Sequence, residues 1–176
     1  IKVQDVDGNG VITTDDRIIY SQRPDVTFGF NNTFNYKGFD LSVFLYARLG
    51  QWIAYDYNTT YRINALENGG NVDYWTPENL TNAFPRPNKS KSYTQVTYYS
   101  TLKYEDGSFF KIRDITLGYT FKPELLKHLN LSRLRVYATA KNFFTFSKID
   151  NYDPEQGGSI SFPMTKQLVF GLNVEF

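Results

Sequence analysis

The sequence predicts an all-β fold, an antiparallel transmembrane β-barrel. Three observations predict it: apolar and polar residues alternate along several stretches, these stretches are long, and the connections between them are short and long in turn. Alternation with a period of two is typical of a strand that has two different faces. Each stretch is long enough for the roughly 9–11 residues of a tilted membrane strand and exceeds the usual soluble length of about 5–6.

Five stretches show this alternation, and each predicts a strand. They are residues 27–36, 39–50, 109–121, 131–144 and 167–176. The last stretch keeps an apolar face up to Phe176, whereas chain ends usually fray into polar sequence. Such an ending is typical of the closing strand of an outer-membrane barrel. The last core strand of a soluble sandwich is the alternative at this point.

The connections between these strands predict which end of the barrel faces outwards. Residues 37–38 form a tight turn, and 122–130 form a modest link in which we expect one helical turn after Pro123. The links at 51–108 and 145–166 are much longer. Outer-membrane barrels have short periplasmic turns and long external loops. A periplasmic C-terminus therefore places both short links in the periplasm and both long links outside.

Composition narrows the possible functions. The aromatic share is 18%, which suits the two interfaces of a bilayer and also suits a sugar-binding surface. The absence of cysteine excludes disulfides and thiolate sites, and a net charge of +1 without a basic block argues against nucleic acid. A mean hydropathy of −0.45 with no apolar run near about 20 residues excludes a transmembrane helix. Because the chain starts at Ile1, we expect a piece of a longer protein.

Residues 5–16 match a calcium-binding loop of the dockerin or EF-hand type. Oxygen donors stand at loop positions 1, 3 and 5, a glycine allows the turn at position 6, and a carbonyl and a final carboxylate follow at positions 7 and 12. The predicted ligands are Asp5, Asp7, Asn9, Val11 and Asp16. We expect Ile12 to anchor the loop to a core. An acidic, glycine-rich turn that binds nothing is the alternative.

Catalytic patterns are weak, and the chain is predicted not to be an enzyme. His128 is the only histidine, in a predicted turn without a partner at motif spacing. The pairs Glu105-Asp106 and Asp153/Glu155 are interpreted as parts of a turn and a loop, since nothing places them across a sugar.

The long link at 51–108 is rich in aromatic residues, and we expect it to face a ligand. Its candidate substrate-binding residues are Trp52, Tyr55 and Trp75. A second group of side chains carries positive charge on or near the polar faces of the strands, where the lumen of a barrel would be. These are Arg48, Arg113, Arg133, Arg135 and Lys141.

Six segments of the chain occur together in one order, at residues 5–17, 24–34, 37–48, 109–121, 134–146 and 152–155. Together they resemble the C-terminal part of a SusC/RagA-type TonB-linked outer-membrane transporter of Bacteroidota. The resemblance runs nearly end to end and is weakest in 51–108. Its closing strand matches the barrel-assembly signal at Gly171, Val174 and Phe176, and departs from it at Val169, where a polar residue is usual.

This resemblance implies a barrel of about 22 strands, of which the last five are present here. It implies an N-terminal plug, a TonB box and a TonB complex that drives import, with a SusD-like surface lipoprotein as partner. The implied cargo is an oligosaccharide or a peptide, and the implied location is the outer membrane of a Gram-negative bacterium, in contact with its lipid. The runner-up is a secreted calcium-bound β-sandwich that binds glycan, and an outer-membrane hydrolase comes third.

Overall fold

The computed structural model describes residues 3–57, 73–84, 86 and 102–176, which form two antiparallel sheets. The elements in chain order are β1 (Val26–Tyr36), β2 (Phe39–Leu49), β3 (Trp52–Ala54), β4 (Tyr104–Asp106), β5 (Phe109–Thr120), α1 (Pro123–Leu126), β6 (Arg133–Ser147) and β7 (Gln167–Glu175). The large sheet has the order β1-β2-β5-β6-β7, and β3 pairs with β4 in a small ribbon. All five predicted strands are confirmed.

The large sheet has one apolar and one polar face, because the cross-strand register keeps like residues opposite each other. Leu41 lies opposite Leu117, Leu117 opposite Ala138, and Ala138 opposite Phe170. The side chains of Phe170 and Leu172 on this face are 74% and 68% exposed. Within the described ranges no second sheet covers the apolar face, which contradicts the sandwich alternative.

The two short links are at the same end of the sheet, as predicted. Lys37 and Gly38 have φ angles of 48° and 91°, so both adopt the left-handed conformation of a type I′ hairpin. A Cβ on Gly38 would lie 2.8 Å from the carbonyl oxygen of Thr120. The other short link contains α1, which confirms the expected helical turn. No helix in the described part of the chain is long and apolar enough to cross a membrane.

A bulge at Arg113 changes the register in the middle of the sheet. Ile112 and Asp114 pair with consecutive register positions of β2, and Arg113 is the additional residue between them. Because of this additional residue, the Asp114 side chain lies on the same polar face as that of Lys111. The Arg113 guanidinium lies 5.4 Å from the centroid of the Tyr46 ring.

The two long links meet at the other end of the sheet in what we call the loop layer: β3, β4 and residues 149–160. Ile53, Tyr55 and Ile149 form its buried cluster. The long link over 51–108 contains two short strands, β3 and β4, which its sequence did not predict. Asp106, predicted in a turn, lies in β4.

Candidate functional site

The predicted calcium loop lies on the segment that enters β1 from the loop-layer end of the sheet. Asp5, Asp7 and Asp16 each direct a carboxylate oxygen to one place, where these atoms lie within 4.8 Å of one another. The backbone winds around this place, since the N–H groups of Gly8 and Gly10 both donate to the Asp5 carboxylate at 2.7 Å. The structure therefore brings together the three predicted carboxylate ligands.

Asp16 closes the loop. Its two carboxylate oxygens accept the backbone N–H groups of Thr13 and Val6, both at 2.7 Å. These bonds, that of Thr13 first, hold the pKa of Asp16 below its usual 3.8. The Thr13 hydroxyl accepts from the backbone of Asp15, which forms a reciprocal cap with Asp16 around a short 3₁₀ turn. The carboxylate is thus fixed in position and ionised at neutral pH.

The other predicted ligands lie in the same loop. The Asn9 side-chain oxygen accepts from the backbone of Val11 at 2.8 Å. A carboxylate oxygen that accepts one N–H group keeps a second lone pair, which can bind a metal ion. Ligands that are all oxygen atoms suit a hard cation such as calcium. Ile12, however, is 39% exposed, so the expectation that it anchors the loop to a core is wrong.

The three predicted cargo-contacting aromatics occupy different environments. The Trp52 ring is half-buried and lies 4.5 Å from that of Tyr20. Tyr55 is only 3% exposed and packs between Tyr57 and the rest of the buried cluster, which argues against direct cargo contact. Trp75 is exposed on a compact turn.

Sequence reasoning missed a buried ion cluster at the junction between the loop layer and the sheet. The Lys111 side chain on β5 is 0% exposed, and its ammonium lies 2.6 Å from Asp153 and 2.8 Å from Glu155. Arg113 adds a 3.1 Å contact with Glu155. Asp153 and Glu155 lie 42 and 44 residues from Lys111 in sequence, so no local motif predicts this cluster. Both carboxylates of this pair are engaged by the Lys111 cation.

The polar face carries a second ion pair near the short links. Arg135 on β6 donates to both oxygens of Asp40 on β2, at 2.9 and 2.5 Å. Gly118 on β5 lies between them, and a Cβ there would approach both partners to 2.5 Å. The five predicted cations lie on this face or at its bulge, which confirms their placement.

The predicted assembly residues lie in β7 and directly after it. Gly171 is on the polar face, under the ring of Tyr137 on β6. Val174 and Phe176 have exposed side chains, with Val174 opposite the apolar residue Leu134. Their role in barrel assembly stays a prediction.

A cavity of about 300 Å³ lies beside β6 at its loop-layer end. β6 is longer than β7 here, because pairing between the two starts only at Lys141 and Gln167. Asn142 has a left-handed φ of 58° and donates to the carbonyl of Thr165, which fixes the returning segment. Most of the residues that line the cavity are of polar types, among them Thr145 and Asp153.

Comparison with known proteins identifies relatives along nearly the whole chain. It is 31% identical to TonB-dependent receptor P3 of Formosa agariphila over 195 residues, which is 98% of this chain and 18% of the relative. It is 31% identical to TonB-dependent receptor SusC of Bacteroides thetaiotaomicron over 181 residues, 98% of this chain and 17% of that protein. The chain thus spans about a fifth of the length of these relatives. No family model matches it.

Solved structures agree with these relatives. The RagAB peptide importer in the 'closed-closed' state matches with a TM-score of 0.71 and 27% identity over 98% of this chain and 20% of that chain. The 'open-open' state matches with a TM-score of 0.69 and 27% identity over 94% of this chain and 19% of the other. The sheet is therefore a fragment of a larger barrel.

Proposed function

The chain belongs to the TonB-dependent receptors of the SusC and RagA type, and from this membership we propose that it forms part of the wall of an outer-membrane transporter. The observation that carries the proposal is the two-faced sheet. An exposed face of large apolar side chains suits lipid, whereas paired charges on the opposite face suit a water-filled lumen.

The proposed cargo is an oligosaccharide or a peptide, imported with a SusD-like lipoprotein and a TonB complex. The RagAB relatives are named as a peptide importer, which supports this class of activity. The proposed role is not enzymatic, since the relatives are named receptors and importers. The carboxylate pair Asp153/Glu155 is also engaged by Lys111.

We further propose that residues 5–16 hold calcium through Asp5, Asp7, Asn9, the carbonyl of Val11, and Asp16. The converging carboxylates support this ligand set. A bound calcium ion would supply positive charge that offsets the mutual repulsion of these carboxylates. Its role would be structural, on the segment that leads into β1.

A deletion strain tests the proposed transport. The gene for the complete receptor is deleted, and growth is measured on neutral oligosaccharides and on peptides, each as a sole source. We expect loss of growth on at least one of them and recovery when the complete receptor is restored. Normal growth of the deletion strain on every source would contradict the proposal.

A protease test addresses the orientation. Proteinase K added outside intact cells should cleave within 51–108 or 145–166, and it should leave 122–130 uncut because we propose that this link is periplasmic. After the outer membrane is opened, 122–130 should become accessible. Cleavage of 122–130 alone in intact cells would invert the topology.

A further inference from the structure

We propose that Lys111 is a positioning residue for the mouth of the transport path, holding the loop layer to the polar face of the sheet so that β3, β4 and residues 149–160 behave as one body. The proposal rests on the proposed function, because it takes this polar face as the wall of the path. The mouth is the end of the face at which the loop layer lies.

The first step is the environment of the Lys111 side chain. It projects from the polar face of β5, opposite Tyr46 on β2 and Thr145 on β6. Because it is fully buried, its ammonium has exchanged water for the carboxylates of Asp153 and Glu155. A buried cation that loses its partners is strongly destabilising, so the loop that carries both carboxylates has to stay in place.

The second step runs from these carboxylates to β3. The other oxygen of Asp153 accepts the backbone N–H of Glu155 at 3.0 Å and caps a 3₁₀ turn over Pro154–Gln156. The chain then reaches Gly158, whose carbonyl accepts the backbone N–H of Asp56 at 3.0 Å. The backbone at Gly158 packs so closely on Ala54 that a Cβ would clash with the Ala54 carbonyl. Lys111 therefore connects the sheet to both long links.

Lys111 differs from the other charged residues of the loop layer in its burial. Lys148 pairs with Asp106 at 2.9 Å, but the lysine side chain is 78% exposed, and such pairs contribute little. Arg113 reaches Glu155 from a partly exposed position. Lys111 is the fully desolvated cation of this set, and its partner Asp153 also lines the cavity beside β6.

We call the contacts of Lys111 with Asp153 and Glu155 the Lys111 clamp. A cysteine-protection experiment tests this clamp in the complete receptor in intact cells. Ile149 is buried in the loop layer, so Ile149→Cys reports local opening in a receptor whose cysteines outside this chain have been replaced by serine. A membrane-impermeant maleimide should label it slowly when Lys111 is present. Lys111→Met should raise the labelling rate at least tenfold, while heat-modifiable migration shows a folded barrel.

Three further variants make the result specific. Lys141→Met removes a more exposed cation, which lies 3.6 Å from Asp114 on the same face, and should leave labelling unchanged. Asp153→Asn with Glu155→Gln leaves Lys111 buried without its ion partners and should raise labelling, even if Lys111→Met does not assemble. Lys111→Met combined with these two changes should restore much of the protection, because no fully buried charge is then left without a partner and the remaining cation, Arg113, is partly exposed.

Unchanged labelling in both Lys111→Met and the double carboxylate variant would overturn the clamp. Import provides the separate functional readout, with the glycan or peptide on which the deletion strain fails to grow. We expect Lys111→Met to raise the apparent KM at an unchanged maximal rate per receptor. An unchanged KM together with faster labelling would overturn the positioning role, whereas normal growth of the deletion strain would overturn the proposed function itself.

Discussion

The large sheet and the loop layer distribute their apolar side chains in opposite ways. In the sheet, large residues such as Phe170 and Leu172 are exposed on the apolar face. In the loop layer, Ile53, Tyr55 and Ile149 are buried against one another. Burial of apolar surface contributes about 25 cal/mol per Å², so the sheet alone leaves most of this stabilisation unused.

Charged groups show the same contrast. On the polar face of the sheet, the Asp40–Arg135 pair keeps part of its contact with water. At the base of the loop layer, the Lys111 side chain is fully buried and has no contact with water. The two regions of this chain therefore suit different surroundings. The sheet suits hydrocarbon on one side and water on the other, whereas the loop layer buries its apolar residues as a water-soluble protein does.

The largest effect is expected from a charge on the apolar face. Leu172→Arg, and likewise Leu45→Arg, should cost roughly 2–4 kcal/mol at the middle of a bilayer and reduce assembly into the outer membrane. Assembly is measured by the amount of receptor in purified outer membranes and by its heat-modifiable migration on gels.

Asn173→Arg is the matched control, because Asn173 is the next residue of β7 and lies opposite Arg135 on the polar face. It should assemble far better than Leu172→Arg. If Leu172→Arg and Leu45→Arg both assemble normally, the apolar face does not contact lipid.

The next effect separates the calcium loop from the sheet. Asp5→Ala with Asp7→Ala removes two of the three converging carboxylates and should weaken calcium binding at least 100-fold, about 2.7 kcal/mol. Calorimetry on the purified receptor in detergent measures the affinity. Barrel migration on gels should not change, since the loop lies outside the sheet.

Asp15→Ala is the control for this loop, because Asp15 is exposed and is not one of the three converging carboxylates. It should retain calcium binding. An unchanged affinity in the double variant would remove the proposed site.

A smaller effect is expected from the ion pair on the polar face. Arg135→Met leaves Asp40 without its two hydrogen bonds and should lower the free energy of unfolding by roughly 1–2 kcal/mol, since water still reaches the carboxylate. Arg133→Met is the control. Its pair with Glu175 is well exposed and should change stability by less than about 0.5 kcal/mol. Equal losses in both variants would contradict the difference in burial.

The large sheet could be predicted from sequence because its signal is local and repeated. A period of two over about ten residues marks each strand, and a two-residue turn such as Lys37-Gly38 sets the register of its hairpin. The ligand order of the calcium loop is likewise readable within twelve consecutive residues.

The loop layer could not be predicted because its contacts are distant in sequence. β3 and β4 have three residues each and are separated by a long link, so neither shows a period. The Lys111 clamp joins β5 to carboxylates more than 40 residues away. An aromatic residue in a loop, such as Tyr55, is compatible with a binding surface and with a buried cluster, and only the packing distinguishes these two environments.

The smallest effect concerns pH at the calcium loop. The N–H groups of Thr13 and Val6 hold the pKa of Asp16 below 3.8, so this carboxylate favours the folded loop when it is ionised. Its contribution is fully present above pH 3.8 and is lost as the pH falls through the lowered pKa. Terbium luminescence with calcium competition measures the calcium affinities of the unaltered receptor and of Asp16→Asn. The ratio of the two affinities should be constant from pH 7 to 5 and should shrink only below about pH 4. A ratio that already shrinks between pH 6 and 5 would mean that the pKa of Asp16 lies above 3.8, and the N–H groups of Thr13 and Val6 would then not be stabilising the ionised carboxylate that closes the loop.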